Sequence, residues 1–207
     1  MKGWEVASLT ELDSLPGPGS LRWTPLRRRF GITAFGVNAY TATEAGQDVV
    51  EEHTEEALGH EELYVVVSGR ACFVLDGEEV DVPAGSVVFL GDPKVKRYAR
   101  AELPGTTVLA VGGRPGVHEV SVWEVVFAAY PLADTDPDAA IAELEGALVE
   151  RPDHPALHYD LACINARAGR LDEARARLDR ALELDPERRA HAEEDEDLAP
   201  LRISGEP

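Results

Sequence analysis

The hydrophobic rhythm of the chain changes once. From Gly31 to Gly112 apolar and polar residues alternate in short runs broken by glycine and proline, the period-2 pattern of strands. Runs at 32–40, 47–53, 63–68, 70–75, 78–82, 86–90, 96–102 and 106–111 predict eight strands. Asp76-Gly77 separates two of them and predicts a tight hairpin, because both central residues of a type I′ turn need φ > 0. Pro83-Ala84-Gly85 and Leu103-Pro104-Gly105 mark further turns. Strands in this number without intervening helices favour a sandwich or small barrel. Residues 1–20, carrying Pro16-Gly17-Pro18-Gly19, read as a peripheral arm, and Gly112-Gly113-Arg114-Pro115-Gly116 as an interdomain linker.

Beyond residue 118 the period becomes 3.6, predicting helices near 121–130, 138–150, 155–168, 171–184 and 187–195, with Pro131 interrupting after the first. A shift of 34 residues superposes Asp138 on Asp172, Ala140 on Ala174, Ala142 on Ala176 and Leu144 on Leu178. Ala147 then falls on Ala181, Leu148 on Leu182 and Pro152 on Pro186. The better repeat, Pro155–Arg188, carries Leu161-Ala162, Gly169, Ala174, Leu178, Ala181 and Pro186 in order. It resembles the tetratricopeptide repeat, whose period is 34 residues. Small alanines let paired helices approach, while leucines fill the ridges between them. The resemblance implies a concave groove facing a peptide or protein partner. Two such units leave an open apolar face, to be covered by the barrel, the C-terminal segment or a second subunit, as in a homodimer.

Composition narrows the function classes. Among 207 residues, 20 Lys and Arg face 39 Asp and Glu, for a net charge of −19. Eleven basic and 17 acidic side chains precede residue 118, leaving 9 and 22 beyond it. Such a surface repels nucleic acid and anionic membranes. The acidic run Glu193-Glu194-Asp195-Glu196-Asp197 reads as a solvated turn or tail. No apolar stretch is long enough to span a bilayer, and the first residues lack an export signal. The two cysteines, Cys72 and Cys163, lie in apolar contexts and read as buried free thiols. Together these features predict a cytoplasmic protein.

Two segments in the first half carry a family resemblance. Glu62-Leu63-Tyr64-Val65-Val66-Val67-Ser68-Gly69 resembles the glutamate-to-glycine half of the first cupin motif, and Gly85–Lys96 resembles the second motif. The similarity spans about 31–112. It implies a double-stranded β-helix, or jelly-roll, barrel whose interior often holds one metal on three histidines and a glutamate. The fold class expected is therefore a β + α two-part chain. A cupin-like barrel with its arm would occupy 1–117, and a tetratricopeptide-like all-α region with an acidic end would occupy 118–207.

The departures from the motifs direct the choice of chemistry. Glu62 is present, but the His-x-His pair before it is not, and Lys96 matches the position of the second motif's histidine. Period-2 geometry puts Lys96, Tyr98 and Arg100 on one face of a strand and Arg97 and Ala99 on the other. If Lys96 faces the interior, then Glu62, Tyr64, Lys96, Tyr98 and Arg100 form a pocket for an anionic small molecule, with no cofactor favoured. Lys96 would also sit within reach of Glu62 as a buried ion pair. The alternative is a metal-dependent cupin enzyme (an oxygenase, isomerase or lyase) with one divalent metal ion on His53, Glu55, His60 and Glu62. Nucleophile-elbow, phosphate-loop, Cys-x-x-Cys and His-Glu-x-x-His motifs do not occur.

Overall fold

The computed structural model describes residues 5–203. The chain divides between His118 and Glu119 into two compact units. The first unit opens with β1 (Leu15–Pro16), β2 (Arg22–Thr24) and the short helix α1 (Leu26–Phe30). The jelly-roll strands follow: β3 (Gly36–Thr41), β4 (Asp48–His53), β5 (Glu61–Ser68), β6 (Arg70–Leu75), β7 (Glu78–Pro83), β8 (Val87–Leu90), β9 (Arg97–Ala101) and β10 (Thr107–Gly113). One sheet runs β1-β2-β3-β10-β5-β8 and the other β4-β9-β6-β7, each pairing antiparallel. Successive strands therefore pass between sheets, with β6–β7 as the only same-sheet step from β3 onward. This is jelly-roll connectivity, as the motif resemblance implied.

Alternation along each strand decides which side chains enter the barrel. Val49, Val66, Phe73, Ala99 and Val108 are fully buried between the sheets, and the Tyr64 and Phe73 rings meet at 5.6 Å. Asp76 (φ 51°) and Gly77 (φ 91°) close the β6–β7 hairpin with the two positive φ angles its turn requires. The arm is more than peripheral. Leu9 and Leu12 from it join Leu26, Ile32, Leu109 and Val111 around Val37 and Ala39 on the outer face of the larger sheet. Strands as short as β1 and β2 leave no periodicity to read. Gly112 and Gly113, expected in a linker, are instead the last residues of β10.

The second unit contains α2 (Val122–Ala129), α3 (Pro137–Glu150), α4 (Pro155–Arg167), α5 (Leu171–Leu184), α6 (Arg189–Glu194) and α7 (Ala199–Ile203). Ser121 caps α2 by accepting from the Trp123 amide, and Asp136 caps α3 ahead of Pro137. Pro131 sits in a 3₁₀ turn over 130–132, where its missing N–H costs nothing. Ten of the 13 residues of α4 are buried, which makes it the central helix. One side packs Leu157, Leu161 and Ile164 against α2 and α3. The other packs Ala162 and Ala166 against Ala174 and Ala181 of α5, and Ala192, Leu198 and Leu201 join that cluster. The C-terminal segment thus covers a face the two repeats leave open. Asp195 and Asp197 turn inward there, with Tyr159 donating to Asp195 at 2.8 Å. Only Glu193, Glu194 and Glu196 of the acidic run are exposed. Cys163 is a buried free thiol as expected, but Cys72 is only half-buried. Among the described residues no helix is long and apolar enough to cross a membrane.

Two measurements test this packing. A Cβ on Gly69 (φ +75°) would lie 2.7 Å from Thr106 Cα and 2.3 Å from its Oγ1, whereas one on Gly77 (φ +91°) meets nothing within 4 Å. Gly69→Ala is therefore expected to cost ~3 kcal/mol or more, from clash plus backbone strain, and Gly77→Ala only ~1 kcal/mol. Urea unfolding of the two variants checks the order. In the helical unit, burial pushes the Asp160 carboxyl up to about 6, with Arg188 opposing and Asp195 reinforcing the shift. A folded-state value above the ordinary 3.8 penalises the fold once the group ionises. Asp160→Asn should raise the thermal midpoint at pH 7.5, and the gain should fade as the pH falls through 6 toward 3.8.

Candidate functional site

A cavity of about 430 Å³ opens into the first unit. Strand parity supplies its walls: Asn38 and Tyr40 from β3, Glu62 and Tyr64 from β5, and Gly112 from β10. In β4 the register with β9 shifts on both sides of Val50. These bulges bury Val49 and Val50 together and re-aim Glu51 and His53 at the cavity. Glu55 and His60 come from the turn between β4 and β5. Gly112 has a local role, because a Cβ there would stand 3.2 Å from Glu62 Cγ.

The charged groups form one network. Tyr64 Oη donates to Glu62 Oε2 at 2.5 Å. His53 Nε2 lies 3.7 Å from that oxygen and 3.7 Å from Glu55 Oε1, ion-pair contacts too long for hydrogen bonds. His60 Nδ1 is 3.3 Å from Glu55 Oε2. Behind Glu62 stands Arg97, with 0 % of its side chain exposed and its Nε 3.5 Å from the carboxylate. None of the three guanidinium nitrogens makes a hydrogen bond to the protein. Burial alone would raise the Glu62 pKa, but His53, Tyr64 and Arg97 outweigh it and hold the carboxyl low. The Glu62 contact raises the His53 pKa against burial, helped by the Glu51 carbonyl. Tyr40 is pushed up to about 12 by burial and by Glu51, Glu62 and Glu55, so it stays a neutral phenol.

The five residues expected to form an anion pocket separate in the structure. Glu62 and Tyr64 line the cavity. Lys96 does not: its side chain is 55 % exposed and its Nζ pairs with Glu52 at 2.7 Å. Tyr98 donates to Asp48 at 2.6 Å, and the Arg100 guanidinium lies 5.8 Å over the Tyr98 ring. The alternation along β9 is as expected but the face is inverted. Arg97, Ala99 and Ala101 point inward while Lys96, Tyr98 and Arg100 point out. The interior cation beside Glu62 is Arg97, one residue from the position taken from the motif. Small apolar Ala99 and Ala101 were the signal for it, since a barrel interior takes them more readily than Tyr and Arg.

The other candidate set does converge. His53, Glu55 and Glu62 each offer a ligand atom within 4.8 Å of the others, and His60 stands beside Glu55. Two features suit these residues to a divalent cation. Glu55 Oε2 is buried and makes no hydrogen bond. His53 Nδ1 lies 2.7 Å from the Glu51 carbonyl, which only accepts, so Nδ1 carries a proton and the lone pair of the neutral form would sit on Nε2, facing the cavity. One imidazole with two carboxylates is a donor set for a borderline or hard divalent metal.

Residues 132–193 match the family model of the tetratricopeptide repeat. No curated protein matches the chain. Among solved structures, a cupin protein from Bacteroides fragilis is 20 % identical, with 59 % of this chain and 94 % of that one covered at a TM-score of 0.46. A sugar phosphate isomerase of the cupin superfamily from Silicibacter pomeroyi is 20 % identical, over 53 % and 76 %, at 0.43. An RmlC-like cupin from Shewanella frigidimarina is 15 % identical, over 53 % and 91 %, at 0.40. The strand order of the first unit is that of a jelly roll, and the second unit carries the tetratricopeptide-repeat match.

Paired substitutions test the inverted face. Arg97→Ala should cost ~3 kcal/mol or more, since it breaks a buried pair and empties core volume. Lys96→Ala removes an exposed pair and should stay within ~0.5 kcal/mol. Urea unfolding measures both, and a larger cost at Lys96 would contradict the assignment.

Proposed function

We propose that the barrel binds a divalent cation on His53, Glu55 and Glu62, and through it a small polar molecule in the cavity. The convergence of one imidazole nitrogen with two carboxylates carries this reading, one of them with a buried oxygen that makes no hydrogen bond and faces His60 at 3.3 Å. The Arg97 guanidinium lies behind Glu62 and not among the lining residues, while Glu51, Glu55 and Glu62 line the walls. An anionic ligand therefore gains attraction here only by coordinating the cation. When bound, a divalent ion supplies Lewis acidity toward a ligand oxygen. The protein's part is positional. The Glu51 carbonyl orients His53, and Tyr64 and Arg97 hold Glu62 ionised while Tyr40 offers a neutral donor to the ligand. The helical unit, which carries the repeat match, is read as a docking surface for a protein partner. An aromatic row at Trp123, Phe127 and Tyr130 lies exposed on it.

Tag-free full-length protein, equilibrated separately with Mn²⁺, Ni²⁺ and Zn²⁺ and then desalted, should retain about one ion per chain by elemental analysis. An ion at 100 times its Kd should stabilise the fold by ~2.7 kcal/mol. Glu55→Gln and His53→Ala, which leave the Arg97–Glu62 pair in place, should weaken retention about tenfold or more. Neither retention nor stabilisation with any of the three ions would overturn the proposal.

A further inference from the structure

A second cavity, of about 250 Å³, lies wholly within the helical unit. It falls below the ~300–1,000 Å³ of metabolite sites, so it suits one long side chain better than a whole small molecule. Aromatic groups wall it, Trp123, Tyr130 and Tyr159 among them, and Asp160 of α4 reaches into it. The other carboxylates there are engaged. Asp195 accepts from Tyr159 at 2.8 Å, and Asp197 pairs with Arg167 at 3.7 Å. Asp160 makes no hydrogen bond or ion pair among the described residues. The cation whose charge acts on Asp160, Arg188, is held by Asp185 at 2.9 Å with its guanidinium 5.8 Å over the Tyr159 ring.

An unpaired carboxylate in a half-buried cavity is costly to the fold, as its raised pKa also indicates. Residues kept against stability are commonly kept for a ligand. Beside the cavity, Trp123 is 63 % exposed, Phe127 68 % and Tyr130 54 %. Their i, i+4, i+7 spacing makes one apolar row along α2 and the turn after it. Acidic residues outnumber basic ones 22 to 9 beyond residue 117, so a partner with a positive charge is attracted and a negative one repelled.

We propose that a protein partner inserts a lysine side chain into this cavity to pair with Asp160, its flanking apolar residues resting on Trp123 and Phe127. The ammonium would replace the missing counter-charge of Asp160, and the neighbouring indole would add cation–π attraction. This rests on reading the helical unit as a docking surface and adds the chemistry of what docks.

The test uses the full chain at 150 mM salt and a Ser-Leu-Lys-Leu-Ser peptide, with a Lys-to-Gln version as its control. The Trp123 indole N–H resonance reports binding. The Lys peptide should shift it, and the Gln peptide should bind about ten- to a hundredfold more weakly. Asp160→Asn should abolish that preference while raising the thermal midpoint, which separates lost binding from lost folding. Glu143→Gln, an exposed α3 position, removes the same charge and should leave the preference intact. Equal weakening by Glu143→Gln would mean diffuse attraction and overturn the site. Equal shifts with both peptides would overturn the lysine pocket and leave docking standing, and no shift with either would overturn both. A lowered midpoint in Asp160→Asn would show that Asp160 is internally paired and also overturn the inference.

Discussion

A guanidinium with no exposed surface, 3.5 Å from Glu62, is the charge about which the barrel interior is arranged. Removing such a cation from water costs several kcal/mol, and only a nearby anion offsets it. Glu62 supplies that anion, and its low pKa reflects the same contact. With Glu62 so held, the Tyr64 hydroxyl can be aimed only as its donor, and the His53 ring stands between the carboxylates of Glu62 and Glu55. Arg97 thus answers one of the three cavity carboxylates, and Glu51 and Glu55 keep their charge. That arrangement leaves Glu55 and the Nε2 face of His53 free to take a further cation.

The helical unit solves a different problem. Two repeats expose a side of α4 and α5 that is lined with alanines, and the residues after α5 fold back to cover it. Asp195 joins that cover to the core by accepting from Tyr159 and by capping the turn over 196–198. The acidic end of the chain is therefore partly structural. The feature left without a structural explanation is Asp160, which has no hydrogen-bond or ion-pair partner among the described residues and feels Arg188 only at a distance.

Much of this was legible in the sequence, for identifiable reasons. Asp76-Gly77 gave the β6–β7 hairpin because Asp-Gly is among the few residue pairs that readily take two positive φ angles. The 34-residue register gave α3 to α5 because side chains facing the same neighbour recur with the repeat. The carboxylate–histidine candidates followed from strand parity and from the resemblance of Glu62 to the glutamate of the first cupin motif. The direction of β9 did not, because the motif match placed Lys96 at a ligand position. Only the burial of Ala99 and Ala101 sets the parity. The arm was missed because β1 and β2 are too short to show a period. Gly112 was read as a linker because a glycine pair signals a turn, whereas here it makes room for the Glu62 side chain.

The central claim is that the Arg97–Glu62 pair organises a cation site on His53, Glu55 and Glu62. Anomalous diffraction from crystals grown with Mn²⁺ tests it most directly. The account predicts one strong anomalous peak bounded by His53 Nε2 and the carboxylates of Glu55 and Glu62, with Arg97 still buried behind Glu62. No peak there, with His53 hydrogen-bonded straight to Glu62, would contradict it.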